Sequence, residues 1–244
     1  MTYPKNEIQI VSLSNRKTFS FLFLFLFSLF FPSQALATWS IIAVDRSTGE
    51  IGIVGASCTF DVSGIASLVP GKGAIVVQAQ SNYFARMKGV QLMNHGASTD
   101  EILTAMRHKD FDPENQQYGV VLLDTDMAPL CYSGSQIADW SGQLIGDDFA
   151  VMGNILVGPE VLQSAFDAFN EHRDISLSER LMLALKAGEQ AGGDKRCGDQ
   201  YARSAFISIY NPDKDAISKL SISGIDKGGQ PAVTLLAEAH AKWK

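Results

Sequence analysis

Histidine is scarce in this chain and badly spaced for metal binding. The four histidines stand at 95, 108, 172 and 240, and none forms an HxxxH or HExxH pair. Two zinc ligands on successive turns of one helix need that spacing, so a zinc hydrolase of that design is excluded. The same scarcity leaves no Ser/His/Asp arrangement to assemble. Cysteine is scarce too, with three residues at 58, 131 and 197. That excludes a disulfide-dense scaffold and a CxxC motif. Lys and Arg number 20 against 26 Asp and Glu. With no basic stripe, nucleic acid is not an expected partner. "PGKGA", Pro70 to Ala74, lacks the spacing and the Ser/Thr of a phosphate loop, and "GASCTF" lacks the GxSxG of a nucleophile elbow. No feature calls for a metal or another cofactor. The longest uncharged apolar run, Phe19 to Phe31, has 13 residues, short of the roughly 20 that span a bilayer as a helix.

That run belongs to a leader. Asn15-Arg16-Lys17 precedes it, Pro32 ends it, and Ala35-Leu36-Ala37 puts small residues at the −3 and −1 positions of a signal-peptidase site. A basic n-region, an apolar h-region and an A-x-A end describe a secretory signal, residues 1–37. The competing reading is an uncleaved anchor. The residue directly after the site is Thr38 rather than Cys, which argues against a lipoprotein. Removing 1–37 takes away three of the 20 basic and one of the 26 acidic residues, leaving 17 against 25 and a formal charge of −8. Residues 38–244 suffice for one well-buried domain, exported to a periplasmic or extracellular space with no membrane attachment. A homo-oligomer is compatible with this composition. All three cysteines remain. Cys131 sits in a strand-like stretch and reads as a small buried hydrophobe. Cys58 and Cys197 lie at loop-like positions and are the favoured disulfide pair, with a catalytic thiol as the alternative.

The spacing predicts strands at Trp39–Asp45 and Glu50–Ser57, joined by the "RSTG" turn, and a third at Lys72–Gln80. Helices are expected over Asn82–Asn94 and from the Ser98-x-x-Glu101 capping box to about Lys109. A second hairpin uses "QYGVVLLD" and "APLCYSG", and "DDFAVMGN" is a strand ending in a Gly-Asn turn. Two helices follow, the second capped by Ser176-x-x-Glu179 and ended by Gly192-Gly193-Asp194. The strands "YARSAFISIY" and "AISKLSIS" and a helix over Pro231–Lys244 complete the chain. Hairpins alternating with helix pairs indicate an α+β layered domain rather than a doubly wound sheet.

Thr38 is the residue this pattern isolates. Cleavage after Ala37 would make it the N-terminus, and a strand begins at Trp39 at once. Most termini fray; this one is expected to be tied into a sheet. A rigid N-terminal Thr carries a hydroxyl nucleophile and an α-amine of pKa about 8 that can take its proton. No histidine is needed. The plain alternative is that Thr38 is only the first residue of a strand.

"TWSIIAVDRSTGEIGIVGAS", "GKGAIVVQAQSN", "MGNILVGPEV" and "ALKAGEQAGGDKR", followed by "RSAFISI", resemble the bacterial domain of unknown function family 1028, placed with the N-terminal nucleophile (Ntn) hydrolases. The resemblance runs from Thr38 to about Tyr210, with "GNILVGPEV" and "AGGDKR" its most specific pieces. It implies a four-layer αββα sandwich and an amide bond as target, in a small molecule or short peptide. It departs where Cys197 and "GDQY" lengthen the stretch after Arg196. Asn154 is then the first candidate for an oxyanion donor, with Ser57 and Asn82 behind it. Asp194 is expected to hold the α-ammonium, Arg196 to bind a substrate carboxylate, and Ser57, Gln78 and Asn82 to line the substrate site. The plain alternatives are a left-handed turn residue for Asn154, a helix-end charge pair for Asp194 and Arg196, and a structural hydrogen-bonding role for Gln78 on the third strand. Two other functions compete: a non-catalytic binding or assembly protein, and a cysteine-reactive envelope protein.

Overall fold

The computed structural model describes residues 37–243. The expected leader therefore lies outside the described residues, apart from Ala37. Two antiparallel sheets make up the domain. One has six strands in the order β10-β9-β2-β1-β8-β7, the other four in the order β3-β4-β5-β6. In chain order the strands are β1 Thr38–Asp45, β2 Glu50–Ser57, β3 Ala66–Val69, β4 Gly73–Ala79, β5 Gln116–Leu122, β6 Leu130–Ser133, β7 Ser141–Ile145, β8 Phe149–Asn154, β9 Ser204–Asn211 and β10 Ala216–Ile222. The helices are α1 Tyr83–Asn94, α2 Thr99–Met106, α3 Glu160–Glu171, α4 Leu177–Gln190 and α5 Ala232–His240. The expected α+β class holds, with two antiparallel sheets and helices packed against them.

Strand period explains how three cores arise from one chain. Successive side chains point to opposite faces. On β1, Ile42 and Val44 join Ile51, Ile53, Val76, Val121 and Met152 in a core between the sheets. Trp39, Ile41 and Ala43 face the other way and pack with Val161, Phe169, Leu181 and Leu185 of α3 and α4 and with Val233 and Leu236 of α5. A third core sets Ile75, Val77, Tyr118 and Val120 against Ala85 and Met93 of α1 and Ile102 and Met106 of α2. β1 is buried on both faces over seven of its eight residues. It runs apolar on both faces past Ser40, as a central strand must. Ser98 with Glu101 and Ser176 with Glu179 close reciprocal capping boxes at α2 and α4. Each satisfies backbone N–H groups that the first turn leaves without a partner.

Candidate active site

The core between the sheets turns polar at one end. Thr38 and Ser40 on β1, Ser57 on β2, Gln78 on β4, Gln117 on β5, Asn154 on β8 and Ser204 on β9 are all buried there. Each lies in the alternation that carries the apolar residues of the inner core. Thr38 opens the strand at the centre. Asn154 stands directly opposite it in the β1–β8 ladder, and the register that pairs Trp39 with Ala56 sets Ser57 on its other side.

The carbonyl bonded to the Thr38 nitrogen is clasped. Ala37 O accepts from Ser57 Oγ and from Arg196 Nη2 at 3.1 Å. The guanidinium is held in turn by Asp194, whose carboxylate accepts from Arg196 Nε at 3.1 Å and Nη2 at 2.8 Å. Asp194 is fully buried. It also accepts the backbone N–H groups of Cys58 at 2.7 Å and Arg196 at 3.0 Å. Four donors on one carboxylate, two of them from a cation, keep this buried charge compensated. Asp194 and Arg196 are thus an ion pair, and the pair continues onto the Thr38 peptide.

Local sequence explains the placement. After Asn154 the chain continues beside 193–195: Val157 N–H donates to Gly193 O, Lys195 N–H to Ile155 O, and Leu156 bridges Asp194. Gly193 has φ +56°, and a Cβ there would come within 3.1 Å of Tyr201 O and the Trp39 ring. Only glycine suits that backbone and that gap. The "GGD" step therefore follows from the close approach of this loop to β1.

A disulfide joins the segment that follows Asp194 to the end of β2. Cys58 and Cys197 are bonded, with Cα atoms 5.6 Å apart and a sequence separation of 139. In the chain-entropy picture, closing so long a loop stabilises the fold by about 5 kcal/mol. Cys131 is the free cysteine among the described residues. It packs at the margin of the inner core, and burial pushes its thiol up to about 12. That suits a buried hydrophobe rather than a nucleophile.

Asn154 is the last residue of β8, and the left-handed residue is its neighbour Ile155, φ 52°. Its polarity is set by a chain of amides. Gln117 Nε2 donates to Gly153 O at 3.0 Å and Gly142 O at 3.2 Å, so Gln117 Oε1 must face the other way. Oε1 accepts from Gln78 Nε2 at 2.9 Å and Asn154 Nδ2 at 3.0 Å. Gln78 Oε1 is thereby left to accept from Ser40 Oγ at 2.7 Å. Asn154 Oδ1 is buried without a hydrogen-bond partner among the described residues. The open atom of Asn154 is therefore an acceptor, which differs from the donor role expected for it. Gln78 serves the amide chain, matching its structural alternative.

Asn82 is not brought to this cluster. Its Oδ1 caps α1 by accepting from Phe84 N–H at 2.9 Å and Ala85 N–H at 3.1 Å, and its Nδ2 donates to Phe111 O at 3.2 Å. Those bonds use its side chain for capping, so the expected substrate-binding role is withdrawn. Gln117 and Ser40 were missed by sequence reasoning. Their signal was a polar residue at a core-facing position near a strand end, legible only once the register is known. Among the described residues no three His, Cys, Asp or Glu form a metal-holding group, and no helix is long and apolar enough to cross a membrane.

No curated protein matches this chain. Among solved structures it is similar to the crystal structure of protein SPO2555 from Silicibacter pomeroyi, which carries the DUF1028 family model. The two are 23% identical over 84% of this chain and 85% of that one, with a TM-score of 0.71. At that identity the likeness speaks for the fold. Residues 38–240 match the family described as "Family of unknown function (DUF1028)", a span that starts at Thr38 and takes in every side chain of the polar cluster, and the chain belongs to that family.

Proposed function

We propose that this chain is an exported Ntn-type amidohydrolase whose nucleophile is Thr38, exposed when signal peptidase removes residues 1–37. One observation carries the reading. The carbonyl attached to the Thr38 nitrogen lies in a two-donor clasp, Ser57 Oγ and Arg196 Nη2. The Ala37 carbonyl stands in for that of an acyl substrate beside Thr38. Two further observations support it: the family match begins at Thr38, and apolar cores lie between the two sheets and between each sheet and its helices. The latter is compatible with the helix–sheet–sheet–helix order of Ntn hydrolases.

The chemistry follows from the groups present. The free α-amine, of ordinary pKa about 8, takes the proton of Thr38 Oγ. Oγ attacks the amide carbonyl of a small molecule or short peptide. The resulting oxyanion sits where Ala37 O sits, between Ser57 Oγ and Arg196 Nη2. The ammonium passes its proton to the leaving nitrogen, the C–N bond breaks, and an ester remains on Thr38. Water, deprotonated by the same amine, hydrolyses the ester and releases the acid. Asp194 keeps the guanidinium aimed. Each oxyanion donor in such a site lowers the barrier by about 3–4 kcal/mol.

The test is covalent labelling of the exported protein with a β-lactone, an electrophile that mimics an acyl donor. Thr38→Ser should keep measurable labelling and Thr38→Ala should lose it while unfolding at the same temperature. Equal labelling of Thr38→Ala overturns the reading in favour of a binding protein.

A further inference from the structure

Asn154 is fully buried, yet its Oδ1 has no hydrogen-bond partner among the described residues. A buried acceptor left open costs free energy and calls for a reason. Turning the side-chain amide over would not supply a partner. Nδ2 donates to Gln117 Oε1 at 3.0 Å, and that oxygen is fixed as an acceptor because Gln117 Nε2 donates to Gly153 O and Gly142 O. The amide chain therefore holds Oδ1 open and holds it as an acceptor. Its place in the sheet is equally defined. Asn154 pairs with Thr38 in the β1–β8 ladder, so the two side chains stand on one face. The clasp lies on the other flank of Thr38, at the end of β2. β2 and β8 border β1 on either side, each about 4.8 Å away. In a planar trans amide the C=O and the N–H point in opposite directions. An amide whose oxygen sits between Ser57 and Arg196 thus turns its N–H toward β8 and Asn154.

We infer that Asn154 Oδ1 accepts the N–H of the scissile amide, and that the site therefore selects primary and secondary amides over esters and over amides whose nitrogen carries two carbon substituents. The inference rests on Thr38 being the nucleophile and the clasp being the oxyanion site. An ester turns a lone pair toward Oδ1, and a disubstituted amide, such as the bond before a proline, turns a carbon toward it. Either leaves the oxygen desolvated and unpaired. A site built to hydrogen-bond one group rejects analogues that lack it by about 10⁴–10⁵-fold in favourable cases. The bond also favours the transition state. As the leaving nitrogen takes the proton of the α-ammonium, its N–H becomes cationic and its bond to Oδ1 strengthens. The Thr38 α-ammonium is the competing donor for Oδ1. It is present whatever the substrate, so it produces no discrimination between an amide and an ester.

The experiment follows kcat/KM of the exported protein on three chromogenic probes with one acetyl group: p-nitroacetanilide, p-nitrophenyl acetate, and the acetylated nitroindoline in which a ring CH2 stands where the anilide carries its N–H. Each rate is taken above that of Thr38→Ala and divided by the probe's hydroxide-catalysed rate, so that intrinsic reactivity cancels. The parent should favour the anilide over the indoline by at least about 10²-fold. Asn154→Ala should lower the anilide rate at least about tenfold more than the ester rate, and Asn154→Leu, which fills the space, should do the same. An indoline rate within about threefold of the anilide rate overturns the inference, and that comparison uses the parent alone, so it stands even where a variant fails to fold. Equal losses on anilide and ester in a folded Asn154 variant overturn it too, since Oδ1 would then serve the α-ammonium or the fold. Thr38-dependent turnover of the ester without the anilide overturns the inference and leaves the Thr38 reading standing. Absence of Thr38-dependent turnover of all three probes overturns the Thr38 reading and the inference with it.

Discussion

Gln117 should be the most sensitive polar residue of the domain outside the clasp. Its side chain is buried; its two Nε2 hydrogens are shared among Gly153 O, Gly142 O and Ser133 Oγ, and its Oε1 accepts from Gln78 and Asn154. Gln117→Leu fills much of the volume but removes the acceptor shared by two buried amides. Leaving a buried donor unsatisfied costs about 1–3 kcal/mol. With the bonds to the carbonyls also lost, the expected destabilisation is about 4 kcal/mol. In a domain of this size each kcal/mol lowers Tm by about 2–4 °C, so the variant should melt about 8–16 °C below the parent. Gln117→Glu tests the polarity argument directly. It keeps the shape but turns an oxygen toward two carbonyls, which repel it when ionised. Its folded pKa must rise above the ordinary carboxyl value of about 4.3. A raised carboxyl contributes its stability below the unfolded pKa and loses it as pH rises through the folded one. The Glu variant should therefore resemble Gln117→Leu at pH 7 and approach the parent near pH 4. Thermal and urea unfolding across that range measure both. A Leu variant within 1 kcal/mol of the parent, or a Glu deficit independent of pH, refutes the amide chain as the device that orients Asn154.

Three further outcomes follow from other sites. Removing a clasp donor by Ser57→Ala should lower the β-lactone labelling rate about 10²–10³-fold with little change in Tm; a change under threefold would exclude the clasp as the oxyanion site. Glu114 is held down to about 2 by bonds from Ser135 and Tyr132. A depressed carboxyl contributes stability above its unfolded pKa and loses it as pH falls through the folded one. Glu114→Gln should thus be less stable than the parent at pH 7, with the gap closing between pH 4.5 and about 2. Cys131, with its thiol pushed up to about 12, should resist iodoacetamide at pH 8 in the folded protein and react once urea unfolds it. Rapid native alkylation would mean that the thiol is not buried.

The parts of the fold legible in the sequence were those with strong local chemistry. β1, β2, α4 and both capping boxes fall where apolar period and Ser-x-x-Glu spacing put them. β3 and β7 were missed. β3 has four residues, β7 has five, and both lie at sheet edges with mostly half-exposed or exposed side chains. A short edge strand carries too little apolar pattern to announce itself. The site divides the same way. Thr38 could be nominated because it stands at a strand start directly after a cleavage site, whereas Ser57, Asp194 and Arg196 were nominated through the family resemblance that their segments carry. Gln117 and Ser40 could not, because a polar residue inside an apolar strand gains meaning only from the strand across from it. Asn82 misled for a related reason: a helix cap and a ligand-binding amide look alike until the helix start is placed.

The most direct measurement of the central claim is the intact mass and N-terminal sequence of the protein exported by its native host, before and after exposure to a β-lactone. The account predicts a chain that starts at Thr38 with a free α-amine and gains a single adduct, located on Thr38. A start at another residue, a blocked amine, or a correct terminus that gains no adduct would contradict it.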